Sequence, residues 1–312
     1  MRFACWLLVV STAVCAQQAP APIERHAASQ EVPTIRVESR LVPVAVNVAD
    51  EKGAPVAGLT QEDFEVFEDG KPQKIAVFDK QSTTPLSLVI AVDASESTIA
   101  QNRLERDAMR DFVKKLMREQ DQAALFAFAD RVDELVGFTN DAKRIESGFG
   151  KMKRGDATAL YDAIYLGAQE LGTSKDASAR RVLVVISDGE NTTRHGSYAS
   201  ALEEAQRNAA MIYSLIVVPV EADAGRNTGG AHALMQLSMD TGGKFYEVID
   251  KHDLAEAFSH VSDDLRTQYT VGYYAPQPKL GRDNVRKIEV RLKDPSLRTK
   301  YTLRYRSSYY AR

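Results

Sequence analysis

Asp93-Ala94-Ser95-Glu96-Ser97 sets one carboxylate and two hydroxyls at alternate positions, directly after the apolar run Leu88-Val89-Ile90-Ala91-Val92. Alternation through a turn can aim all three side-chain oxygens at one point, and a hard divalent cation such as Mg²⁺ takes oxygen ligands. The position is suitable as well, because open α/β sheets place ligands at the carboxyl ends of their strands. Alone the pentapeptide is a weak signal, since ordinary composition produces Asp-x-Ser-x-Ser by accident in roughly one chain in ten of this length. Its weight depends on further oxygens arriving from other strand ends.

Two later segments offer them. Gly155-Asp156-Ala157-Thr158-Ala159-Leu160 puts a threonine in a loop just ahead of a helical stretch. Val182-Leu183-Val184-Val185-Ile186-Ser187-Asp188-Gly189 ends a second apolar strand on an Asp-Gly turn. A simpler use of the hydroxyls is helix capping: Ser97 for a helix starting near Thr98, Thr158 for one starting at Ala159. Capping and ligation are compatible. Catalytic alternatives have little to work with. The chain has no Gly-x-Ser-x-Gly elbow, no Gly-x-x-x-x-Gly-Lys loop and no Gly-x-Gly-x-x-Gly. Two places after Asp93, where aspartyl-phosphate enzymes commonly carry a second acid, stands Ser95. The histidines (His26, His195, His232, His252 and His260) form no ligand pair on a shared strand or loop.

Such a constellation needs a sheet to hold it. From Leu86 to Arg266, continuous apolar strands alternate with helical-period segments, the pattern of a doubly wound, mainly parallel α/β sheet. Predicted strands are 86–92, 123–128, 132–138, 182–186, 211–218 and 244–248, with 132–138 antiparallel to its predecessor after a tight polar turn. Leu104, Ala108, Phe112 and Leu116 recur along one helix face, as do Leu160, Ile164, Gly167 (or Ala168) and Leu171. Shorter series at 202–209, 234–237 and 254–261 mark three more helices.

The flanks read as antiparallel β structure. In 33–84, Val42, Val44, Val46 and Val48 alternate with other residues, and Thr60-x-x-Asp63 resembles a capped helical turn. Asp69-Gly70 between 64–68 and 75–78 predicts a hairpin. In 267–312, period two returns at Tyr269, Val271 and Tyr273, then at Ile288, Val290 and Leu292, then at Tyr301, Leu303 and Tyr305. Each flank is too small for its own core, so the two are expected to pack as one small β-sandwich with the α/β unit, 85–266, inserted between them. Eight of the twelve tyrosines lie in 246–312. Half-buried strand positions account for them better than stacking on nucleic acid or sugar.

Residues 1–16 read as a secretory signal peptide: Arg2, an apolar run from Cys5-Trp6-Leu7-Leu8-Val9-Val10, and Val14-Cys15-Ala16 before Gln17. The run is shorter than the about 20 residues a membrane-spanning helix needs. Lipidation at Cys15 is the alternative to cleavage after Ala16. Residues 17–32, rich in Ala, Pro and Gln, read as a flexible linker. Cleavage removes both cysteines, and with them any disulfide, thiolate metal site or cysteine nucleophile. The remainder carries 39 Lys+Arg (40 less Arg2) against 43 Asp+Glu, a net charge of −4. That mixed, mildly acidic balance argues against general nucleic-acid binding. No later stretch is apolar and long enough to be a transmembrane segment.

In order, spacing and strand–loop context, Asp93-x-Ser95-x-Ser97, Thr158 and Asp188-Gly189 resemble the von Willebrand factor type A (VWFA) domain and its metal-ion-dependent adhesion site (MIDAS), over roughly 86–266. The flanks VNVADEKGAPVAGLTQEDFEVFEDGKPQKIAVFD and YTVGYYAP…RKIEVRLKD…YRSSYYAR resemble those of secreted acidobacterial VWFA-related proteins. The resemblance implies a Rossmann-like fold in which Ser95, Ser97 and Thr158 offer hydroxyl oxygens to Mg²⁺ (or Mn²⁺ or Ca²⁺). Asp93 and Asp188 would bind the ion directly or through water, and one position would stay open for a protein partner's carboxylate. Glu96 departs from the family's usual glycine; it either faces solvent or reaches the ion and shields the open position. Asp156 adds negative charge at the rim. The implied function is a secreted or periplasmic, non-enzymatic module for adhesion or scaffolding. A structural interaction module with a vestigial metal site, and a Mg²⁺-dependent phosphoryl-transfer hydrolase, are the other readings.

Overall fold

The computed structural model describes residues 40–80, 84–95, 102–176, 179–218, 228–275 and 284–311. The expected signal peptide and linker, 1–16 and 17–32, lie outside the described residues. The chain opens with β1 (Arg40–Ala49), a single 3-10 turn at Gln61–Asp63, β2 (Phe64–Glu68), β3 (Lys71–Gln73) and β4 (Ile75–Asp79). The middle runs β5 (Leu86–Asp93), α1 (Asn102–Leu116), β6 (Gln122–Phe128), β7 (Val132–Thr139), α2 (Ala142–Gly148), α3 (Leu160–Gly172), β8 (Arg180–Ser187), α4 (Tyr198–Arg207), β9 (Ala210–Val217), α5 (Thr228–Thr241), β10 (Phe245–Val248) and α6 (Lys251–Thr267). It closes with β11 (Tyr269–Ala275), β12 (Val285–Leu292), α7 (Pro295–Lys300), β13 (Thr302–Arg304) and β14 (Ser308–Tyr310).

The central sheet has the order β10-β9-β8-β5-β6-β7. All neighbours are parallel except β7, which returns antiparallel to β6 as its short polar turn predicts. Helices cover both faces, so β5 is buried at every position and no alternation survives in its sequence. Leu88, Ile90 and Val92 face a core shared with α1 and α6, where Phe112 stacks on Phe258 at 4.4 Å. Val89 and Ala91 face the opposite core, built with α3, α4 and α5.

Strands from both ends of the chain form two further antiparallel sheets, β13-β1-β11-β4 and β14-β12-β2-β3. Their shared core takes Val42, Val44 and Val46 from β1, Val66 from β2, Val271 from β11 and Val290 from β12. The carboxyl-terminal tyrosines serve it: the Tyr273 and Tyr309 hydroxyls donate to the buried Glu68 carboxylate at 2.8 and 2.9 Å. Each buried polar group thereby satisfies another.

The hairpin expected from the sequence forms with a different arm. Asp69 and Gly70 do make the turn, both with positive φ (47° and 76°). The returning arm, however, is β3, and β4 crosses to the other sheet to pair with β11. Pro72 has no N–H for a longer ladder, and Phe78 is drawn to aromatic contacts with Phe64 (5.7 Å) and Tyr269 (6.0 Å). Helix α7, capped by Asp294 and with Pro295 at its first position, is an element that the sequence pattern did not predict.

Asp121 ties the start of β5 to the end of α6. Its buried carboxylate accepts from the Leu86 N–H at 2.8 Å, the Arg118 N–H at 2.9 Å and Arg266 Nη2 at 3.1 Å. Asp121→Ala leaves all three donors and a half-buried cation without that partner. It is expected to lower unfolding free energy by about 3–5 kcal/mol in urea denaturation.

Candidate metal centre

The chain leaves β5 toward β6 on one side and leaves β8 toward β9 on the other, so the crevice between their carboxyl ends is a topological switch point. Val92 pairs with Ile186 in the parallel register, which brings the next residues, Asp93 and Ser187, side by side. Asp93 is 1 % exposed. Its Oδ2 accepts the Ser187 hydroxyl at 2.6 Å and its Oδ1 accepts the Ser95 N–H at 2.9 Å. The second bond folds the chain back as it leaves the strand and sets the buried Ser95 in a bridge with Gly155.

Asp188 repeats the device: its Oδ1 accepts the Glu190 N–H at 3.0 Å. Gly189 between them has φ of 90°, and its N–H donates to Ser187 Oγ at 3.1 Å. A Cβ there would lie 2.6 Å from the backbone of Gly230 and Ala231, so this turn requires glycine twice over.

Thr158 does not cap a helix as one reading of the sequence expects. α3 begins at Leu160 with Ala159 at its N-cap and no side-chain cap bond. The missing acceptor comes from the loop after β8, where Asn191 Oδ1 takes the Tyr161 N–H at 3.2 Å. The Thr158 backbone is held from both sides by Thr192: its N–H donates to Thr192 Oγ1 at 2.8 Å and its carbonyl accepts the Thr192 N–H at 3.0 Å. Thr158 is 2 % exposed, and its hydroxyl has no hydrogen-bond partner among the described residues. The other end of this loop hangs on the β6–β7 turn, where Asp130 Oδ1 accepts the Ala157 N–H at 3.1 Å and the Ala129 carbonyl accepts the Ala159 N–H at 2.8 Å. A Cβ on Gly155 would overlap the Asp130 carboxylate and come within 2.8 Å of Ala129 Cβ.

Burial pushes the Asp93 carboxyl up to about 6; the hydrogen bonds from Ser187 and Ser95 oppose the rise and the Asp188 charge adds to it. A buried carboxylate with a second one nearby is an arrangement a cation would relieve. Among the described residues no three His, Cys, Asp or Glu side chains gather as a metal group. The donors near Asp93 are hydroxyl and carboxylate oxygens, a hard set that fits Mg²⁺ better than a soft ion. Glu96 and Ser97 lie outside the described residues. Asp156 is exposed at the rim, and His195 is exposed on its loop.

Ser187, Asp130, Asn191 and Thr192 were not singled out from the sequence. Ser187 had a usable signal, being the strand residue directly before Asp188. The other three act through pairings across the fold and leave no local pattern.

Residues 88–190 match the family model for the von Willebrand factor type A domain. The chain carries a VWFA domain. The matched span runs from β5 to the turn after β8 and includes Asp93, Ser95, Thr158 and Asp188. Two solved structures repeat the fold. Proximal thread matrix protein 1 from the mussel byssus, in a form with a zinc-occupied MIDAS motif, is 18% identical, with a TM-score of 0.51 over 65% of this chain and 50% of that one. A von Willebrand factor type A protein from Catenulispora acidiphila is 12% identical, with a TM-score of 0.50 over 86% of this chain and 73% of that one. BatB from Bacteroides thetaiotaomicron is 21% identical, with a TM-score of 0.47 over 58% of this chain and all of that one. No curated protein matches the chain.

Because the folded Asp93 carboxyl sits near 6 against an ordinary 3.8, the folded VWFA domain holds more protons than the unfolded chain between those values. Metal-free protein is therefore expected to lose stability as pH rises from about 4 to about 6. Asp93→Asn should flatten that slope and raise the metal-free Tm at pH 7, by the equivalent of about 1–3 kcal/mol. Thermal melts in EDTA across pH check both.

Proposed function

We propose that the VWFA domain is a metal-dependent, non-enzymatic protein-binding module that works outside the cytoplasm. Ser95, Ser97 and Thr158 supply hydroxyl oxygens to a Mg²⁺-type ion (Mn²⁺ and Ca²⁺ are the alternatives), and Asp93 and Asp188 hold it directly or through water. The observation that carries the reading is the Thr158 hydroxyl: it belongs to a buried residue of the loop beside the switch point and is left unspent on the helix that follows. Neutral oxygens leave a bound ion electron-poor, so it can take a carboxylate from a partner protein in a remaining position. Zinc at the MIDAS motif of the mussel protein supports a divalent ion on this fold.

The chain's own residues set the arrangement. Ser187 orients the Asp93 carboxylate, the turn from Asp93 to Ser95 presents the first hydroxyl, and Thr192 and Asn191 fix the Thr158 loop against the Asp188 loop. The sandwich strands of 33–84 and 267–312 serve as the mount, and 1–16 as the export signal. No helix among the described residues is long and apolar enough to cross a membrane.

Calorimetric titration of the metal-free chain with MgCl₂ is expected to give one site, weakened at least tenfold by Asp93→Ala and by Thr158→Ala. Capture of cell-envelope proteins on the immobilised chain should then require Mg²⁺ and be lost with chelator and in Asp93→Ala. Identical capture in all conditions would refute the metal bridge. Mg²⁺-dependent hydrolysis of p-nitrophenyl phosphate, lost in Asp93→Ala, would establish the hydrolase reading instead.

A further inference from the structure

A cavity of about 620 Å³ lies at the opposite end of the central sheet from the metal loops, between the amino ends of β5, β8 and β9 and the sandwich strands β1, β4 and β11. That volume is far above a water-sized packing void and within the about 300–1,000 Å³ of small-molecule sites. Among the described residues, Arg40, Arg180, Arg181, Arg207 and Arg306 line it, against Asp79 as the single acid. The five come from β1, β8, α4 and the segment before β14, so no local charge run gathers them.

Two of these charges are balanced or capped locally: Arg207 pairs with Glu203 at 2.5 Å, and Arg181 Nη1 donates to the Asn208 carbonyl at 3.1 Å. The hydrogen bonds of Arg180 and Arg306 reach only neutral oxygens. Arg180 Nη1 donates to the Leu265 carbonyl at 2.7 Å and Gln268 Oε1 at 2.8 Å, and Arg306 Nη2 donates to the Pro43 carbonyl at 2.7 Å. Arg180 Nε and Nη2 and Arg306 Nε are buried with no partner. Burial pushes both guanidiniums down to about 10; the Asp121 and Asp79 charges oppose the fall at Arg180, whereas Arg306 has no carboxylate among its charge partners in the described residues and is repelled by Arg40. Desolvated charge left without a counter-ion is costly. The remaining wall is apolar, with Pro43, Val77 and Met211 among its residues.

We propose that this cavity binds a small amphipathic anion, its carboxylate or phosphate head set between Arg40 and Arg306 and its apolar body against Pro43, Val77 and Met211. The site is independent of the metal centre. The eight residues of β8 separate the two, roughly 23 Å at about 3.3 Å per residue.

Isothermal titration of the full chain with decanoate, in EDTA, tests it, with decyltrimethylammonium as a cation of equal chain length. One saturable decanoate site per chain is expected, with the cation binding at least tenfold more weakly. Arg40→Gln and Arg306→Gln should each weaken decanoate at least fivefold. Val77→Trp, introduced at a position 39% exposed, should fill the cavity and abolish binding in a chain that still melts cooperatively. Asp93→Ala should bind as the parent does. Absence of a saturable site, equal binding of the cation, or parent-like affinity in the Arg40, Arg306 and Val77 variants would overturn the proposal.

Discussion

The parallel register of β5 against β8 is the constraint from which the candidate site follows. With Val92 opposite Ile186, the Asp93 carboxylate meets the Ser187 hydroxyl at 2.6 Å and Asp188 emerges one residue beyond. Both strands are apolar on both faces and sandwiched between two helix layers. A one-residue slip would exchange the core faces of every side chain in the strand. Packing on two sides therefore specifies the place of one carboxylate.

The loops beyond that point hold one another. α3 has no cap of its own and borrows Asn191 from the loop after β8, while the same loop, through Thr192, clamps the Thr158 backbone. The β6–β7 turn anchors the other side through Asp130. Two strand ends are thus joined to the Thr158 loop by backbone-directed bonds, and the Thr158 hydroxyl is left over from that bonding. Asp93 is the counterweight: it is buried beside a second acid, and its burial opposes its own ionised form. Local destabilisation of this kind at a preorganised polar cluster is typical of sites built to receive a ligand.

Much of this was legible in the sequence. Apolar runs marked the six central strands to within a residue or two; Asp93 and Asp188 fall where two of those runs end, and Thr158 falls in the loop just ahead of α3. Features that depend on tertiary competition were not legible. Ile75 to Phe78 had the alternation of a hairpin arm, yet aromatic packing with Phe64 and Tyr269 moved β4 to the other sheet. Thr158 had the position of a helix cap, yet a distant asparagine took the role. The arginines of the basal cavity stand between positions 40 and 306, and only the docking of the sandwich on the sheet brings them together.

The role of the β5–β8 crevice rests on whether its oxygens hold a divalent cation. Anomalous diffraction from crystals soaked in MnCl₂ tests this most directly. One strong manganese peak is expected within about 2.1–2.3 Å of the Ser95 and Thr158 hydroxyl oxygens, with Asp93 and Asp188 in direct or water-bridged contact. A crevice without a peak, in crystals where manganese is bound elsewhere or not at all, would contradict a metal centre there.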